Sequence, residues 1–358
     1  MEQKIPAVSV IIPMYNAEKF IVPCLESLLA QTFRDFEIFV VDDCSTDKSC
    51  DIVESYVQKF TGVGIGLRLL RSKKNFGNPG VPRNRGLNAS RGKYVYFMDN
   101  DDLLMNNALA ELYRYAETYD ADVVCMRKHF VFEAEAERPF PSQLKIFAFP
   151  YISPELAEVP HLESENLADR MMDQFRGKFG VMSWLKFSRR DLLIENEIYF
   201  PRVYSNEDNF WTMHLILSAK RMLIIPAPLY IYRNNKNSIT RHEKTPAEEI
   251  RFIMYSILTG PENIDFVARK NKFLEENSQY RYTWMENLAS WGFNTIFKSC
   301  VNLNPYEVYE IFREQFAQET GEYSELIAYL CSLVNTQQKI LAVGNRRIAE
   351  LEKKLAER

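Results

Sequence analysis

Three aspartates stand within four residues directly after an apolar run that is typical of a buried strand. Asp99, Asp101 and Asp102 follow residues 94–98, with Asn100 between the first two. Side chains at i and i+2 of an extended chain point the same way, so Asp99 and Asp101 can face one ion together. Because clustered carboxylates repel one another unless a cation or a proton relieves them, the segment predicts a site for Mg²⁺ or Mn²⁺. The alternative is a solvated turn in which one aspartate caps the next helix.

Two more polar segments follow apolar runs earlier in the chain. Asp42 and Asp43 come directly after residues 36–41, and either carboxylate can accept a hydrogen bond from a nucleobase N–H or a ribose hydroxyl. Pro13 and Tyr15 leave the first apolar run, where the tyrosine ring can stack on a nucleobase. The alternative roles are helix capping for the aspartates and core packing for Tyr15, and the residues themselves leave both open.

Charged side chains of both signs stand at two other points of the chain. Residues 75–85 are predicted to form a loop that brings Arg83 and Arg85 to the same edge, where a guanidinium can meet a diphosphate or carboxylates. Glu207 and Asp208 precede an aromatic, helix-like run. An acidic pair at a helix start commonly complements the helix dipole, and a role in chemistry is the alternative.

The elements that must position these residues alternate between short β-rich runs and amphipathic helical patterns, which is typical of a sheet wrapped by helices. Predicted strands cover residues 8–12, 36–41, 67–70, 94–98 and 122–126, and predicted helices run to residue 32, across 52–60 and across 106–119. In open α/β sheets, ligands bind at the carboxyl ends of the strands. Because several of the polar segments follow such strands, we expect a binding site at this edge.

The pattern changes after residue 128. Residues 128–165 form an insertion without an assigned structure, whereas 181–187, 198–200 and 221–233 are strand-like, 209–218 is helix-like, and the chain after Glu248 is almost wholly helical. We therefore predict an α/β fold, in which a mixed sheet flanked by helices is followed by a mainly helical C-terminal region. The predicted units are residues 1–245, a helical region 246–332 and a tail helix 333–358.

Apolar residues of the tail recur every seven positions. Val334, Leu341, Ile348 and Leu355 share this spacing, and Gly344 interrupts the run. A repeat of seven is typical of a coiled-coil or amphipathic helix. The tail is therefore predicted either to pair with a second copy, which would give a homo-oligomer, or to pack on its own domain.

Bulk composition limits the classes of function. The 358 residues are 46% hydrophobic and 26% charged with a formal net charge of −4, which fits a globular protein and gives no reason to expect nucleic-acid binding. Residues 1–7 lack the charged head and apolar stretch of a signal peptide, and no apolar run is long enough to span a membrane. We expect a cytoplasmic location. Six cysteines without CxxC spacing predict reduced thiols rather than a zinc site.

Taken together, five segments resemble glycosyltransferase family 2. They are IIPMYN, VVDDCSTD, NFG with PRNRGL, YFMDNDD and NEDNFW, in this order over about residues 5–240. The resemblance implies a nucleotide-diphospho-sugar transferase fold, with residues 1–245 as the donor-binding domain. By position it implies that Pro13, Tyr15 and Asp43 surround the nucleobase and ribose, that Asn75, Arg83 and Asn100 belong to the donor pocket, that Asp99 and Asp101 hold the metal and diphosphate, and that Asp208 is the catalytic base.

The activity that this resemblance implies is inverting, non-processive and metal-dependent transfer of a hexosyl or N-acetylhexosaminyl group. The donor is a nucleotide-diphosphate sugar, and UDP is the nucleotide that is usual in the family. Mn²⁺ or Mg²⁺ is the cofactor. The acceptor is a hydroxyl of a surface glycan, polysaccharide or lipid-linked saccharide, and a lipid-linked acceptor would bring peripheral contact with the inner face of the membrane. The sequence has no QxxRW-like motif, which argues against a processive synthase.

The chain departs from the family pattern in three places. Cys44 stands where glycine is customary, Pro82 stands where a small residue is common, and the loop between Asn75 and Arg83 is one residue longer than usual. The last two departures bear on the roles of Asn75 and Arg83. Residues 230–238 also resemble the family's arginine- and serine-containing loop near the phosphates.

Other functions remain as alternatives. A nucleotidyltransferase can also use an aspartate pair and a metal at a sheet edge, but it normally carries a glycine-rich basic loop that IIPMYN does not provide. An NAD-dependent enzyme would need GxGxxG after the first strand, which the sequence lacks. A catalytically inactive glycan-binding or scaffold protein is the alternative from another class, and the presence of both metal and base carboxylates argues against it.

Overall fold

The computed structural model describes residues 5–133, 139, 141–149, 156, 158–203, 205–234, 244–320 and 324–356. The chain divides into two compact units. The first comprises Met1–Arg241 and Asp265–Tyr280, and the second comprises His242–Ile264 and Arg281–Arg358. The domain limits given above, 1–245, 246–332 and 333–358, stay predictions.

The secondary structure of the described residues alternates strands and helices up to residue 234 and is helical from Pro246 onward. The strands are β1 (Val8–Met14), β2 (Phe36–Asp42), β3 (Gly66–Arg71), β4 (Tyr94–Phe97), β5 (Leu103–Leu104), β6 (Val123–Met126), β7 (Lys128–Glu133), β8 (Lys145–Ala148), β9 (His161–Leu162), β10 (Lys186–Arg189), β11 (Met222–Ile225) and β12 (Tyr230–Asn234). The helices are α1 (Ile21–Leu29), α2 (Ser49–Gly62), α3 (Gly80–Ala89), α4 (Ala108–Thr118), α5 (Leu167–Phe175), α6 (Arg190–Glu195), α7 (Glu207–Ser218), α8 (Pro246–Lys270), α9 (Lys272–Glu276), α10 (Ser278–Ser299), α11 (Pro305–Thr320) and α12 (Ser324–Ala356).

The main sheet has the strand order β3-β2-β1-β4-β10-β6-β11-β9. β1 pairs in parallel with β2 and β4, and β2 pairs in parallel with β3, so the carboxyl ends of these strands meet at one edge. β10 runs antiparallel to β4 and β6. Every residue of β1 and β2 is buried, as expected for central strands that are covered on both faces. The predicted fold class, a mixed sheet flanked by helices and followed by a helical region, is confirmed.

A second, smaller sheet accounts for part of the insertion that the sequence left unassigned. Its strand order is β5-β12-β7-β8, with β12 parallel to β7 and antiparallel to β5. β5 directly follows the aspartate cluster in the chain. The second sheet therefore attaches the insertion to the backbone of the candidate site.

Helix α3 replaces part of the loop predicted at residues 75–85, so that prediction was wrong for its second half. Pro82 lies in the first turn of α3, where a missing N–H removes no hydrogen bond of the helix. Gly86 lies against β1, and a Cβ there would come within 2.3 Å of the Cγ2 atom of Ile11. The glycine thus permits a close approach of α3 to the sheet.

Two of the predicted strand-like runs differ in the structure. Only the end of 181–187 belongs to β10, because Ser183–Leu185 forms a turn of 3₁₀ helix. Residues 198–200 do not join a sheet. The side chain of Asn84 donates to the Phe200 carbonyl at 2.8 Å and accepts from the Phe200 N–H at 2.9 Å, so it takes both backbone groups that a ladder would use.

The C-terminal helices confirm the helical pattern predicted after Glu248. The second unit has its own apolar core, formed by Ile250, Ile253, Met254, Ile257, Ile296, Cys300, Val308, Phe312 and Cys331. On α12, Leu341 and Ile348 are 63% and 54% exposed, so part of the seven-residue repeat faces solvent. Whether a second copy covers it stays a prediction. Among the described helices, none is long and apolar enough to cross a membrane.

Candidate active site

The predicted nucleotide-binding segments come together at the carboxyl ends of β1, β2 and β4. The backbone N–H of Asp43 donates to the Met14 carbonyl at 2.7 Å, which joins the end of β2 to the end of β1. The side-chain amide of Asn100 donates to the Pro13 carbonyl at 2.8 Å, which joins the turn after β4 to the same strand. Segments that are far apart in the sequence therefore share one edge of the sheet, as the strand pattern predicted.

Of the two carboxylate oxygens of Asp43, one accepts a hydrogen bond from the described residues and the other does not. The Phe76 N–H donates to Oδ2 at 2.9 Å, whereas Oδ1 is buried and has no hydrogen-bond partner within the part of the chain that the structure describes. Burial raises the pKa of Asp43 above its ordinary value. A buried acceptor without a donor is costly, so Oδ1 is suited to receive an N–H or O–H from a ligand.

Tyr15 lies just beyond β1 and is 47% exposed, which excludes its role as a core residue. The next residue, Asn16, has a positive φ of 47° and accepts the Thr46 N–H at 2.8 Å. This contact ties the turn after β1 to the turn after β2. The tyrosine ring is therefore held at the edge of the sheet on a backbone that two strands support.

The turn after β2 explains why glycine is customary at position 44. Cys44 has φ of 69°, in the left-handed region that glycine adopts without a steric penalty. The Ser45 N–H donates to the Asp42 carboxylate at 3.1 Å. Asp42 thus stabilises the turn, and Asp43 is the member of the pair whose Oδ1 is left without a hydrogen-bond partner among the described residues.

Asn75 supports the turn that lies against Asp43. Its side chain is exposed, and Oδ1 accepts the Gly77 N–H at 2.6 Å in a turn where Gly77 has φ of 77°. This turn carries the Phe76 N–H that binds Asp43. Direct contact between Asn75 and a donor stays a prediction.

Arg83 is buried at the centre of three carboxylates. Its Nη2 donates to Asp99 at 2.9 Å, and its Nη1 donates to Asp208 at 3.0 Å and to Glu207 at 3.2 Å. The guanidinium also lies over the Phe200 ring, 5.1 Å from its centroid. A planar cation with several donors suits such a site better than a lysine would. The carboxylate predicted to hold the metal and the carboxylate predicted to act as base are therefore connected through one side chain.

The acidic pair at the start of α7 is more than a complement to the helix dipole. Burial raises the pKa of Glu207 to about 7, and the negative charge of Asp208 adds to that shift. Burial also raises the pKa of Asp208, while the positive charge of Arg83 opposes the rise. Both carboxylates are thus moved toward the pH range in which a side chain can accept and release a proton efficiently.

The structure separates the three aspartates after β4 into two roles. Asp102 is fully buried and accepts the Tyr230 hydroxyl at 2.6 Å and the Arg233 N–H at 2.7 Å, so it anchors the turn to β12. Burial raises the pKa of Asp101 to about 6, and the charge of Asp99 adds to the shift. Asp99 and Asp101 therefore lie close enough to repel each other, which a bound divalent cation would relieve.

The residues present fit a metal that takes part of its coordination from a substrate. Within the described ranges, no group of three or more histidine, cysteine, aspartate or glutamate side chains is arranged to hold an ion. Two carboxylates with substrate phosphates and water are a common way to bind Mg²⁺. Asp99 and Asp101 supply two such carboxylates.

The predictions for two other segments that contain arginine have different outcomes. Arg85 donates to the Ser72 hydroxyl at 2.5 Å and to the Arg71 carbonyl at 3.2 Å, so its hydrogen bonds support the end of β3. Its positive charge also opposes the rise in the pKa of Asp43 that burial causes. The family-like loop at 230–238 is described only to Asn234, and its serine lies outside the described residues.

Two further residues support this site, although the sequence did not single either of them out. Tyr230 binds Asp102 and accepts the Asp99 N–H at 3.2 Å, and an aromatic residue in an apolar strand gives no sign of such a role. Lys186 is fully buried and donates to the turn whose Ser183 N–H contacts Asp208. A lysine between Leu185 and Phe187 in an apolar run was the available signal, because a buried lysine needs specific partners.

Comparison with known protein families gives a match over half of the chain. The model described as Glycosyl transferase family 2 matches residues 9–188, which include β1 to β4 and the aspartate cluster. The match ends before Glu207 and Asp208, so it covers the turns after β1, β2 and β4 but not the acidic pair of α7.

Two curated relatives are similar to this chain over more than half of its length. The poly(ribitol-phosphate) beta-N-acetylglucosaminyltransferase TarS of Staphylococcus aureus is 33% identical over 231 residues, which are 64% of this chain and 35% of TarS. A poly(ribitol-phosphate) beta-glucosyltransferase of Bacillus spizizenii is 27% identical over 309 residues, covering 79% of this chain and 44% of that protein. The chain thus spans about a third of the length of TarS.

A solved structure shows the same fold. The crystal structure of Staphylococcus aureus TarS 1-349 in complex with UDP-GlcNAc aligns with a TM-score of 0.55 and 22% identity, over 93% of this chain and 91% of that one. At this level of identity the likeness supports the fold and not the substrate.

Proposed function

This chain belongs to glycosyl transferase family 2, and from that premise we propose that it transfers a sugar from UDP to a hydroxyl group of a surface glycan or related polymer. The observation that carries the proposal is the Arg83 bridge between Asp99 and Asp208. It supports a single reaction centre in which a donor diphosphate near Asp99 and an acceptor hydroxyl near Asp208 can meet.

The donor nucleoside is proposed to bind between Tyr15 and Asp43. The exposed Tyr15 ring supports stacking on the base, and the unpartnered Oδ1 of Asp43 supports acceptance of a base N–H or a ribose hydroxyl. A uracil ring carries one N–H between two carbonyls, which suits a single buried acceptor. This fit supports UDP as the nucleotide.

A divalent cation is proposed to bind Asp99 and Asp101 together with the donor diphosphate. When bound, Mn²⁺ or Mg²⁺ would offset the negative charge that develops on the leaving nucleoside diphosphate, an effect worth several kcal/mol. Burial raises the pKa of Asp101 and the nearby charge of Asp99 adds to the rise, so a cation that lowers both costs supports this assignment. Arg83 holds Asp99 in place without occupying both of its oxygens.

Asp208 is proposed to act as the general base of an inverting displacement. The acceptor oxygen attacks the anomeric carbon, the bond from that carbon to the diphosphate oxygen breaks, and its electron pair leaves with UDP. The acceptor proton passes to Asp208 as the new bond forms. A raised pKa makes Asp208 a stronger base than an exposed aspartate, and general-base help typically contributes about 10²- to 10⁴-fold.

The acceptor is proposed to be a polyol-phosphate or saccharide polymer. Both curated relatives act on poly(ribitol phosphate) but transfer different sugars, N-acetylglucosamine in one case and glucose in the other. The proposed donors are therefore UDP-GlcNAc and UDP-glucose, and direct comparison of the two decides between them. Membrane contact and self-association through α12 stay predictions.

Product analysis tests this function against its alternatives. The purified chain is incubated with Mn²⁺ and each donor, with and without poly(ribitol phosphate). Release of UDP supports sugar transfer, whereas release of pyrophosphate from UTP with a sugar phosphate supports a nucleotidyltransferase. Glycan binding without turnover supports an inactive scaffold.

A matched pair of variants assigns the base. Asp208→Asn removes the proton acceptor in the first turn of α7, and Asp191→Asn makes the same change in the first turn of α6, where the side chain is exposed. We expect UDP release to fall about 10²-fold or more only in Asp208→Asn, with donor affinity nearly unchanged. Near-normal turnover in that variant would remove Asp208 from this role.

A further inference from the structure

Lys186 is a buried cation whose hydrogen bonds go to neutral groups. Its side chain is fully buried, and its Nζ donates to the Gly180 carbonyl, to the Met182 carbonyl at 3.0 Å and to the Thr212 hydroxyl at 2.9 Å. These three acceptors match the three N–H donors of an ammonium group. Among the ion pairs of the described residues, Lys186 has no carboxylate partner within salt-bridge distance, so its charge is retained in the core at a real cost.

The same hydrogen bonds fix the turn that precedes β10. Thr212 donates its hydroxyl to the Val181 carbonyl at 2.6 Å while it accepts from Lys186. Three successive carbonyls, those of residues 180, 181 and 182, are therefore held by two side chains. Gly180 also has Leu185 directly against it, since a Cβ there would lie 2.3 Å from the Leu185 Cδ1 atom. These contacts hold the backbone path of the turn.

That path delivers a backbone donor to the proposed base. The Ser183 N–H, which directly follows the three held carbonyls, points to Oδ2 of Asp208 at 3.4 Å. The other oxygen of Asp208 accepts from Arg83. Thr212 lies one helical turn after Asp208 on α7, so Lys186 is bonded both to the turn and to the helix that carries the base.

We infer that Lys186 is a positioning residue, which holds the turn at residues 180–183 against α7 so that Asp208 keeps the orientation needed to accept the proton of the acceptor. The inference rests on the proposed function. The positive charge of Lys186 also acts on Asp208 through space and favours its ionised form. Positioning matters because a shift of about 1 Å in a reacting group can cost about 10²-fold in rate.

The test uses UDP-GlcNAc and UDP-glucose with Mn²⁺ and poly(ribitol phosphate), and measures kcat and KM for acceptor-dependent UDP release by folded protein. Lys186→Met keeps a long apolar side chain and removes the ammonium group. Thr212→Val is nearly isosteric and removes the hydroxyl that links Lys186 to Val181, while Thr212→Ser keeps that hydroxyl. Donor affinity is measured by calorimetry with UDP, and the folded fraction is measured by thermal unfolding.

The expected result is a separation of kcat from KM. We expect kcat to fall at least about tenfold in Lys186→Met and by a smaller factor in Thr212→Val, with donor KM and UDP affinity within about threefold of the wild type. Thr212→Ser should recover most of the loss. A purely structural role would instead lower the folded fraction or the donor affinity together with kcat.

Several outcomes would overturn the inference. A folded Lys186→Met variant with kcat within twofold of the wild type would do so. Should Lys186→Met fail to fold, Thr212→Val decides the question, and an unchanged kcat there would reject the positioning role. If the wild type itself releases no UDP from either donor, the proposed function fails, and the positioning inference fails with it for that separate reason.

Discussion

The Nη1 atom of Arg83 lies 3.0 Å from the Asp208 carboxylate, and its Nη2 atom lies 2.9 Å from Asp99. Asp99 follows β4 and Asp208 lies in the first turn of α7, so a single residue of α3 connects the two proposed reaction groups. The guanidinium also lowers the electrostatic cost of burying these carboxylates near each other. Four consequences of this arrangement and of the surrounding core can be measured.

The first prediction concerns the loss of this buried cation. Arg83→Met leaves three carboxylates without their shared partner, so we expect a loss of about 3–5 kcal/mol in the free energy of unfolding and a severe loss of UDP release. Urea unfolding at pH 7 and turnover assays measure the two effects. Arg85→Met on the same helix is the control and should cost about 1 kcal/mol or less, since Arg85 is half-buried and binds neutral groups. Equal effects at both positions would contradict the special role of Arg83.

The second prediction concerns the free oxygen of Asp43. In Asp43→Asn, the amide oxygen is expected to accept the Phe76 N–H, which turns the NH₂ group toward the position of Oδ1. A hydrogen-bond donor would then face the base N–H of UDP. Because the lost hydrogen bond is one to a charged group, we expect the dissociation constant of UDP to rise about 10- to 100-fold. Calorimetry with UDP measures the change. An affinity equal to that of the wild type would place the base elsewhere.

The third prediction concerns coupling between metal and nucleotide. Because two carboxylates alone make a weak site, Mn²⁺ should bind at least about tenfold more tightly when UDP is present than when it is absent. Asp101→Asn should abolish that coupling, whereas Asp120→Asn, at an exposed side chain, should not. Chelation with EDTA should stop UDP release, and Mn²⁺ or Mg²⁺ should restore it. Full activity in EDTA would exclude the metal from the reaction.

The fourth prediction concerns acid stability. Burial lowers the pKa of His214 to about 4, and the charge of Lys270 adds to the shift. In the unfolded chain, a histidine has a pKa of about 6.5. The unfolded chain therefore binds this proton first, so the contribution of neutral His214 to stability is complete above about pH 6.5 and is lost as the pH falls toward 4.

Urea unfolding between pH 7.5 and pH 4.5 measures this loss. The difference of about 2.5 pKa units corresponds to about 3 kcal/mol at the acid end. Burial also lowers the pKa of His129 to about 4, so it adds to the same slope. His214→Gln should flatten the slope without removing it, because His129 remains. An unchanged slope would show that His214 does not titrate in this range.

The strands that form the edge of the site could be predicted because their signals are local. Runs 8–12, 36–41 and 94–98 are rich in β-branched and aromatic residues and are bounded by polar turns, and they lie within two residues of β1, β2 and β4. The position of Asp43 and Asp99 at the carboxyl ends followed from that pattern. These parts of the site needed no tertiary information.

Helix α3 could not be predicted, because its sequence has two glycines and a proline within ten residues. The proline is harmless only because it falls in the first turn, and Gly86 is favoured only because Ile11 lies against it. Contacts of this kind are not visible in the sequence. The packing of α3 on β1 therefore overrides a low helix propensity.

The strand-like run predicted at residues 198–200 does not join a sheet, for a related reason. Its apolar residues pack inward, with the Phe200 ring stacked 4.8 Å from that of Trp211, but its backbone groups are taken by the side chain of Asn84. Periodicity reports which side chains are buried and cannot report what the backbone binds. The bridge from Arg83 to Asp208 likewise depends on this tertiary arrangement, and the family resemblance alone brought the two acidic segments into one hypothesis.

The close approach at Gly86 has a consequence for the interpretation of variant libraries. Any side chain there must push α3 away from Ile11, and Arg83 sits one turn earlier on the same helix. A screen scored on enzyme output alone would therefore rank position 86 beside the acidic residues, although glycine has no functional group. Only a parallel score for abundance would separate a displaced helix from lost chemistry.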